Sequence, residues 1–211
     1  MTVLAKPLND RCAIMVLAAG QSARLGQMKQ LLPIDGKSLI EVQLEQALSV
    51  SKDVYCVLGF NAEQVQSYID HLPINTIINS QWSDGMASSI AAGVKALPSE
   101  IKAVMIVLVD QWQLTAADLI RHKGYWQAQH HAIVVAQLPD SEEAMVNEKL
   151  GPPVVFPQSY FCELTQLSGQ QGARPLLKKY QKLLLKVPLA HAFVDIDTPE
   201  QLAHMKMQID V

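Results

Sequence analysis

Arg24 and Lys29 are the first residues of this chain whose types and setting could do chemistry. They sit in Met15-Val-Leu-Ala-Ala-Gly-Gln-Ser-Ala-Arg-Leu-Gly-Gln-Met-Lys29, a weakly charged stretch that begins apolar and breaks into small residues. A buried strand that empties into a glycine-containing turn presents backbone N–H groups at its carboxyl end, where open α/β sheets bind ligands. Leu17, Ala18, Ala19 and Gly20 supply that strand end and turn, and Ser22 can add a hydroxyl donor. Two cations beside these groups make a site for a polyanion, most simply a nucleoside triphosphate. Exposed loop charges are the ordinary alternative for Arg and Lys; the position at a strand terminus favours phosphate. Gly20 and Gly26 enclose no Gly-Lys-Ser/Thr tripeptide, and the three glycines of the dinucleotide fingerprint are missing.

Acids come next. Asp110 ends the run Ala103-Val-Met-Ile-Val-Leu-Val109, which reads as a central buried strand, so its carboxylate falls on the same rim as the Arg24 loop. There it can hold Mg²⁺ between itself and triphosphate oxygens. The alternative, a helix cap, fits Thr115 better than Asp110. Asp195 and Asp197 stand two apart after a short apolar run, where a strand would turn both to one face as a second metal ligand. Asp197 could equally share the capping of the last helix with Thr198. Gly85, Ser88 and Ser89, in Gly85-Met-Ala-Ser-Ser, open a helix with free N–H groups and hydroxyls that suit recognition of a base edge. Capping alone explains them as well.

The elements that must position these groups alternate. Short, mostly β-branched runs occur at Cys12–Leu17, Val54–Leu58, Thr76–Ile78, Val104–Val109 and Ile133–Ala136. Helical periodicity fills Leu39–Val50, Ala62–His71, Ala87–Leu97 and Ala116–Gln129 between them. Alternation of this kind predicts a mainly parallel central sheet with helices on both faces, a Rossmann-like three-layer sandwich. Pro139–Glu148 reads as a polar surface loop, and the prolines of Gly151–Pro157 predict an edge or boundary strand. Helices over Gln158–Leu167 and Arg174–Lys182 follow, then strands at Leu183–Val187 and Ala192–Val194, then a helix capped by Thr198 with Pro199 first. One domain over 1–211 is expected, with residues 1–10 a loose leader and 139–182 a small insertion.

A chain of 211 residues that is 49% apolar with a formal charge of −3 has the composition of a soluble globular protein, and it lacks the basic excess that nonspecific nucleic-acid binding needs. Cys12, Cys56 and Cys162 are odd in number and far apart, which predicts buried free thiols in a reducing, cytoplasmic setting. Arg11 followed by Cys12–Ala19 superficially imitates a signal peptide, but cleavage near Ala23 would destroy the Arg24 loop. No apolar run approaches the roughly 18 residues a membrane span requires.

The pattern Leu17-Ala-Ala-Gly-x-Ser-x-Arg-x-Gly-x-x-Lys29-x-Leu-Leu-Pro33 resembles the signature of the sugar-phosphate and molybdopterin nucleotidyltransferases. From Val16 to Leu202 the chain is most similar to the molybdenum cofactor cytidylyltransferase family, whose fold is that of the nucleotide-diphospho-sugar transferases. The resemblance implies CTP as donor, because the guanylyl branch carries Gly-Gly where this chain has Ala18-Ala19. It implies molybdopterin, or another phosphate-bearing molecule, as acceptor, Mg²⁺ as cofactor, and an apo-molybdenum hydroxylase as a partner. It assigns triphosphate stabilisation to Arg24 and Lys29 and metal binding to Asp110 with Asp195 or Asp197. Trp112 stands where the family has proline, Gln170 and Gln201 where it has acids, and Pro152 where it has a polar residue. Those departures fall mainly on the acceptor side. They leave two other readings: transfer to a sugar phosphate or phospho-alcohol, or a noncatalytic accessory protein with an exposed Trp82, Trp112 or Trp126 on its partner surface.

Overall fold

Six consecutive apolar residues make strand β1, Cys12–Leu17, and every one of them is buried. Burial of both faces is what a central parallel strand requires. Cys12, Ile14 and Val16 feed one core, while Ala13, Met15 and Leu17 feed the other. Each such fully buried aliphatic side chain contributes about 1.5–3 kcal/mol. The computed structural model describes residues 10–139 and 149–209.

After β1 come a short hairpin, β2 (Pro33–Ile34) with β3 (Lys37–Ser38), then α1 (Leu39–Val50), β4 (Val54–Leu58), α2 (Ala62–Ile69), β5 (Asn75–Ile78) and α3 (Met86–Lys95). The chain continues through β6 (Ala103–Leu108), α4 (Ala116–Ala128), β7 (Ile133–Gln137), β8 (Leu150–Pro157), α5 (Phe161–Thr165), α6 (Arg174–Lys179), β9 (Leu184–Pro188) and α7 (Pro199–Ile209). The main sheet has seven strands in the order β5-β4-β1-β6-β8-β7-β9. Only β8 runs antiparallel to its neighbours. Leu39, Leu44, Val65, Leu119, Trp126 and Leu202 bring α1, α2, α4 and α7 onto one face. Ile90, Val94, Leu164 and Leu177 bring α3, α5 and α6 onto the other. The mainly parallel three-layer sandwich is the fold that the alternating pattern predicts.

Local chemistry sets the helix starts. Ser38 and Glu41 form a capping box on α1, and Thr115 and Asp118 form one on α4. Asp110 is therefore not needed as a cap. Where α3 crosses the sheet, a Cβ on Gly93 would lie 2.4 Å from Met15 Sδ, so glycine sets the closeness of that packing. Among the described residues no helix is long and apolar enough to cross a membrane.

Several expectations need correction. The proline-rich segment is an interior strand, not an edge: β8 lies between β6 and β7. It escapes the usual exclusion because Pro152 and Pro153 fall at the register shift opposite Val135/Ala136 and Pro157 at the strand end, where ladder donors are not required. Ala192–Val194 is no strand; Ala190–Phe193 forms a 3₁₀ turn. The helices expected over Gln158–Leu167 and Arg174–Lys182 are each a shorter helix plus a 3₁₀ turn, Gln158–Tyr160 before α5 and Gln181–Leu183 after α6. Cys12 and Cys56 are buried free thiols, but Cys162 is exposed. Trp126 is 1% exposed and belongs to the core rather than to a partner surface. Residues 1–9 of the expected leader and 140–148 of the expected loop lie outside the described residues.

His122 is the one fully buried imidazole, on α4, and neither ring nitrogen has a hydrogen-bond partner among the described residues. Burial, with a smaller push from Arg121, lowers its pKa to about 4, against about 6.5 for an exposed histidine. Because the folded state holds the ring neutral, stability is complete above pH 6.5 and falls as pH drops from there through 4, by on the order of 3 kcal/mol. Urea unfolding across that window should show the loss, and His122→Leu should flatten it while leaving the protein at least as stable at pH 7.5.

Candidate active site

The turn after β1 is fastened from three sides. Ala18 N–H donates to Val57 O, Phe60 N–H donates to Ala19 O, and the Gln30 Nε2 amide donates to both Ala18 O and Gly20 O at 2.8 Å. Gln30 is 1% exposed, on the 3₁₀ turn Lys29–Leu31, and its Oε1 has no partner among the described residues. Ser22, at φ 57°, accepts the Lys29 N–H on its hydroxyl at 3.4 Å. This anchoring aims the Lys29 side chain along the rim.

Lys29 Nζ lies 2.6 Å from Asp110 Oδ2 and 2.6 Å from Asp197 Oδ1. Arg24 Nη2 reaches the other oxygen of Asp197 at 2.8 Å, with a guanidinium largely in water. Burial works against the Lys29 charge, but the two carboxylates outweigh it and raise its pKa, so the ammonium is retained. Burial pushes the Asp110 carboxyl up, and Lys29 reverses this only in part. Burial also presses on Asp197, but hydrogen bonds and charges from Lys29 and Arg24 hold it below the usual carboxylate range. Asp110 Oδ1 is buried with no hydrogen-bond partner among the described residues.

Asp195-Ile-Asp197 is irregular chain, not the strand that would have turned both acids one way. Asp197 faces Lys29, whereas Asp195 Oδ1 accepts from Gln201 Nε2 at 3.1 Å. Gln201 Oε1 in turn accepts the Asp197 and Thr198 N–H groups, and Thr198 Oγ1 accepts from Gln201 N–H. Gln201 thus organises the loop through neutral hydrogen bonds.

A cleft of about 320 Å³ opens at the carboxyl ends of β1 and β6. Of the expected residues, Leu17, Ala18, Ala19, Gly20, Lys29, Gly85, Ser89 and Asp110 line it. Ser22, Arg24, Ser88, Asp195 and Asp197 stand outside its wall. The hydroxyls of Ser88 and Ser89 both accept from Asn79 Nδ2, and Ser88 Oγ also lies 2.8 Å from the carbonyls of Gln81 and Gly85. They shape the turn into α3. Gln170, expected on the acceptor side, lines the cleft, as do Gln30 and Trp82, which carry no spacing signal for it in the sequence.

A second cavity of about 190 Å³ adjoins the first, sharing Met86, Leu108 and Gln170, and continues over Pro152, Phe156 and Arg174. Its inner wall is apolar. Gln111, 2% exposed, ties Leu108 and Pro152, which line this cavity, to the Ala192 turn: its amide donates to Pro152 O and Ala192 O at 2.7 and 2.6 Å, and its Oε1 accepts from Leu108 N–H. The segment around Gly169–Gly172 latches onto α3, whose Ala87 N–H donates to Gly169 O.

Residues 14–183 match the MobA-like NTP transferase domain, and the chain belongs to that family. It is 31% identical to the purine catabolism protein PucB of Bacillus subtilis (strain 168), over 88% of this chain and 91% of that one. It is 28% identical to nicotine blue oxidoreductase of Paenarthrobacter nicotinovorans, over 89% and 93%. Molybdenum cofactor cytidylyltransferase of Escherichia coli (strain K12) is 23% identical over 91% and 94%. The fold matches the crystal structure of Rv0371C in complex with manganese from Mycobacterium tuberculosis H37Rv, with a TM-score of 0.76, 22% identity and coverage of 92% and 97%.

Gly85 has φ +111°, and a Cβ there would meet Gly169 O at 2.5 Å and Gln170 Cδ at 2.8 Å. Gly85→Ala should therefore displace the 169–172 segment and cost on the order of 1–3 kcal/mol. Thermal unfolding checks the loss, and an unchanged Tm would show that the latch is loose.

Proposed function

We propose that this member of the family is a nucleotidyltransferase that moves CMP from CTP to a phosphate-bearing acceptor, molybdopterin in the first instance, and releases pyrophosphate. The observation that carries this is the Lys29 ammonium held between Asp110 and Asp197 beside the fastened Ala18–Gly20 turn. An acceptor phosphate oxygen would attack the α-phosphorus in line, forming a new P–O bond as the bond to the departing pyrophosphate breaks. Such transfer depends on positioning and on neutralised charge more than on covalent catalysis. Lys29 and Arg24 would stabilise charge on the triphosphate and on the leaving pyrophosphate. The Arg24–Asp197 pair is solvent-exposed, so exchanging the carboxylate for a phosphate costs Arg24 little.

The donor set fits a hard divalent cation. Two cations face three carboxylates on this rim, counting Asp195, so a triphosphate would meet net negative charge unless a metal came with it. Asp110 Oδ1 is a buried, unpartnered carboxylate oxygen of the kind Mg²⁺ takes. No cluster of three or more metal-ligating side chains occurs among the described residues. Asp110 and Asp197 would hold the ion, with Asp195 turned toward Gln201. Bound there, Mg²⁺ would neutralise phosphate charge. The manganese in the Mycobacterium tuberculosis structure supports a divalent ion on this fold.

CTP is supported by the Ala18-Ala19 start and by the Escherichia coli relative's name. The chain would act as one domain with 139–182 on the acceptor side, where the second cavity lies, and in the cytoplasm, where three unpaired cysteines stay reduced. The neutral Gln170 between the two cavities favours a second reading, a sugar phosphate or phospho-alcohol acceptor.

Calorimetric titration with CTP, GTP, UTP and ATP should give selective, Mg²⁺-dependent CTP binding, and pyrophosphate should then appear when molybdopterin is added. Lys29→Ala and Arg24→Ala should each lower turnover on the order of 10²-fold or more; near-normal rates would sink the assignment. Selective binding of another nucleotide would move the acceptor search to sugar phosphates. Binding without pyrophosphate release would mark a noncatalytic carrier that serves an apo-hydroxylase.

A further inference from the structure

Trp82 has no role in either hydrophobic core, although the other two tryptophans do. Trp126 is a core residue and Trp112 packs against the same core, whereas Trp82 lines the cleft, half-buried. Its position is nevertheless tightly set. A Cβ on Gly59 would lie 2.4 Å from Trp82 Cβ and 2.8 Å from Ala19 O, so the absence of a side chain there lets the tryptophan lean over the end of β4 toward the β1 turn. Phe60 backs the indole edge-on, with ring centroids 5.4 Å apart at 72°. Among the described residues the indole N–H donates to nothing. The indole is thereby seated at the cavity wall.

The sheet order says which part of a nucleotide would meet that face. β5, β4, β1 and β6 are neighbours in that order and parallel, so their carboxyl ends lie along one rim. Asp110 follows β6, the Ala18–Gly20 turn follows β1, Phe60 follows β4 and Trp82 follows β5. With strands roughly 4.8 Å apart, the acid and the aromatic pair are separated by about 10 Å or more. Charge is concentrated at the β6 end and aromatic surface at the β4–β5 end. A nucleotide whose phosphates lie beside Lys29 and Asp110 would carry its base to the other end.

We propose that Trp82, seated on Gly59 and backed by Phe60, is the stacking platform for the nucleobase of the bound triphosphate. The assignment rests on the nucleotide-binding reading and adds to it a residue that supplies base affinity. Every base has a π-face, so Trp82 distinguishes a nucleotide from a bare polyphosphate and does not choose among bases. Choice among bases is left to polar groups around Ser83, Gly85 and Ser89.

The test compares CTP with inorganic tripolyphosphate, each titrated calorimetrically with Mg²⁺ into the wild type, Trp82→Ala and Trp82→Phe. Trp82→Ala should weaken CTP binding on the order of 10-fold or more and leave tripolyphosphate unchanged. Trp82→Phe should retain most of the affinity, and the change in tryptophan emission that CTP causes in the wild type should vanish in it. Equal CTP binding by wild type and Trp82→Ala would overturn the proposal, as would an equal loss for both ligands, which marks a merely structural role. If Trp82→Ala does not fold, the emission change and Trp82→Phe decide. Failure of the wild type to bind any nucleoside triphosphate would instead remove the nucleotide reading itself.

Discussion

An ammonium group taken out of water must be given negative partners, and Lys29 finds its two far along the chain, in Asp110 and Asp197, 81 and 168 residues away. The rest of the fold can be understood as what brings those three residues together. β1 and β6 must be adjacent and in register so that the turn after one and the acid after the other share a rim. The 3₁₀ turn at Lys29 must fold back on the β1 turn, which Gln30 does by holding Ala18 O and Gly20 O. The chain before α7 must return to the same place, and Gln201 shapes it to do so. No one of these contacts is strong in isolation. Together they keep a charge in a place where leaving it unpaired would cost several kcal/mol.

Much of this was legible in the sequence, for a physical reason. β1, β4 and α1 have the bounds that their residues dictate, because a strand buried on both faces must be continuously apolar and a capped amphipathic helix must show its period. Asp110 was recoverable for the same reason: an acid directly after such a strand can only lie at its carboxyl rim. The signals failed where they rest on exclusion or on a short window. Prolines argue against an interior strand only if ladder donors are needed where they stand, and the register shift in β8 removes that need. Three apolar residues at Ala192–Val194 fit a 3₁₀ turn as well as a strand.

Within the site, the charged groups and the small residues of the two turns are legible in the sequence, and the buried amides that brace them are not. Gln30 and Gln111 each hold main-chain carbonyls of segments that border the cleft or the second cavity, and neither carries a pattern in sequence. Their work is done by pairing with carbonyls of distant segments, which only the fold reveals. The serines illustrate the converse. Ser88 and Ser89 are expected as base contacts with capping as the alternative, and their bonds to Asn79, with those of Ser88 to nearby carbonyls, also help to build the α3 turn.

Gln111 joins the end of β6, the Pro152 segment of β8 and the Ala192 turn through three hydrogen bonds made by one buried amide. A side chain shared by three segments couples their displacements, so this flank of the cleft behaves mechanically as a single plate. The opposite flank is built differently: the loop between Gly20 and Met28 has mostly exposed side chains and a few bonds of its own. The loop that carries Arg24 is therefore the less tied of the two segments, joined to the chain before α7 through the Arg24–Asp197 pair.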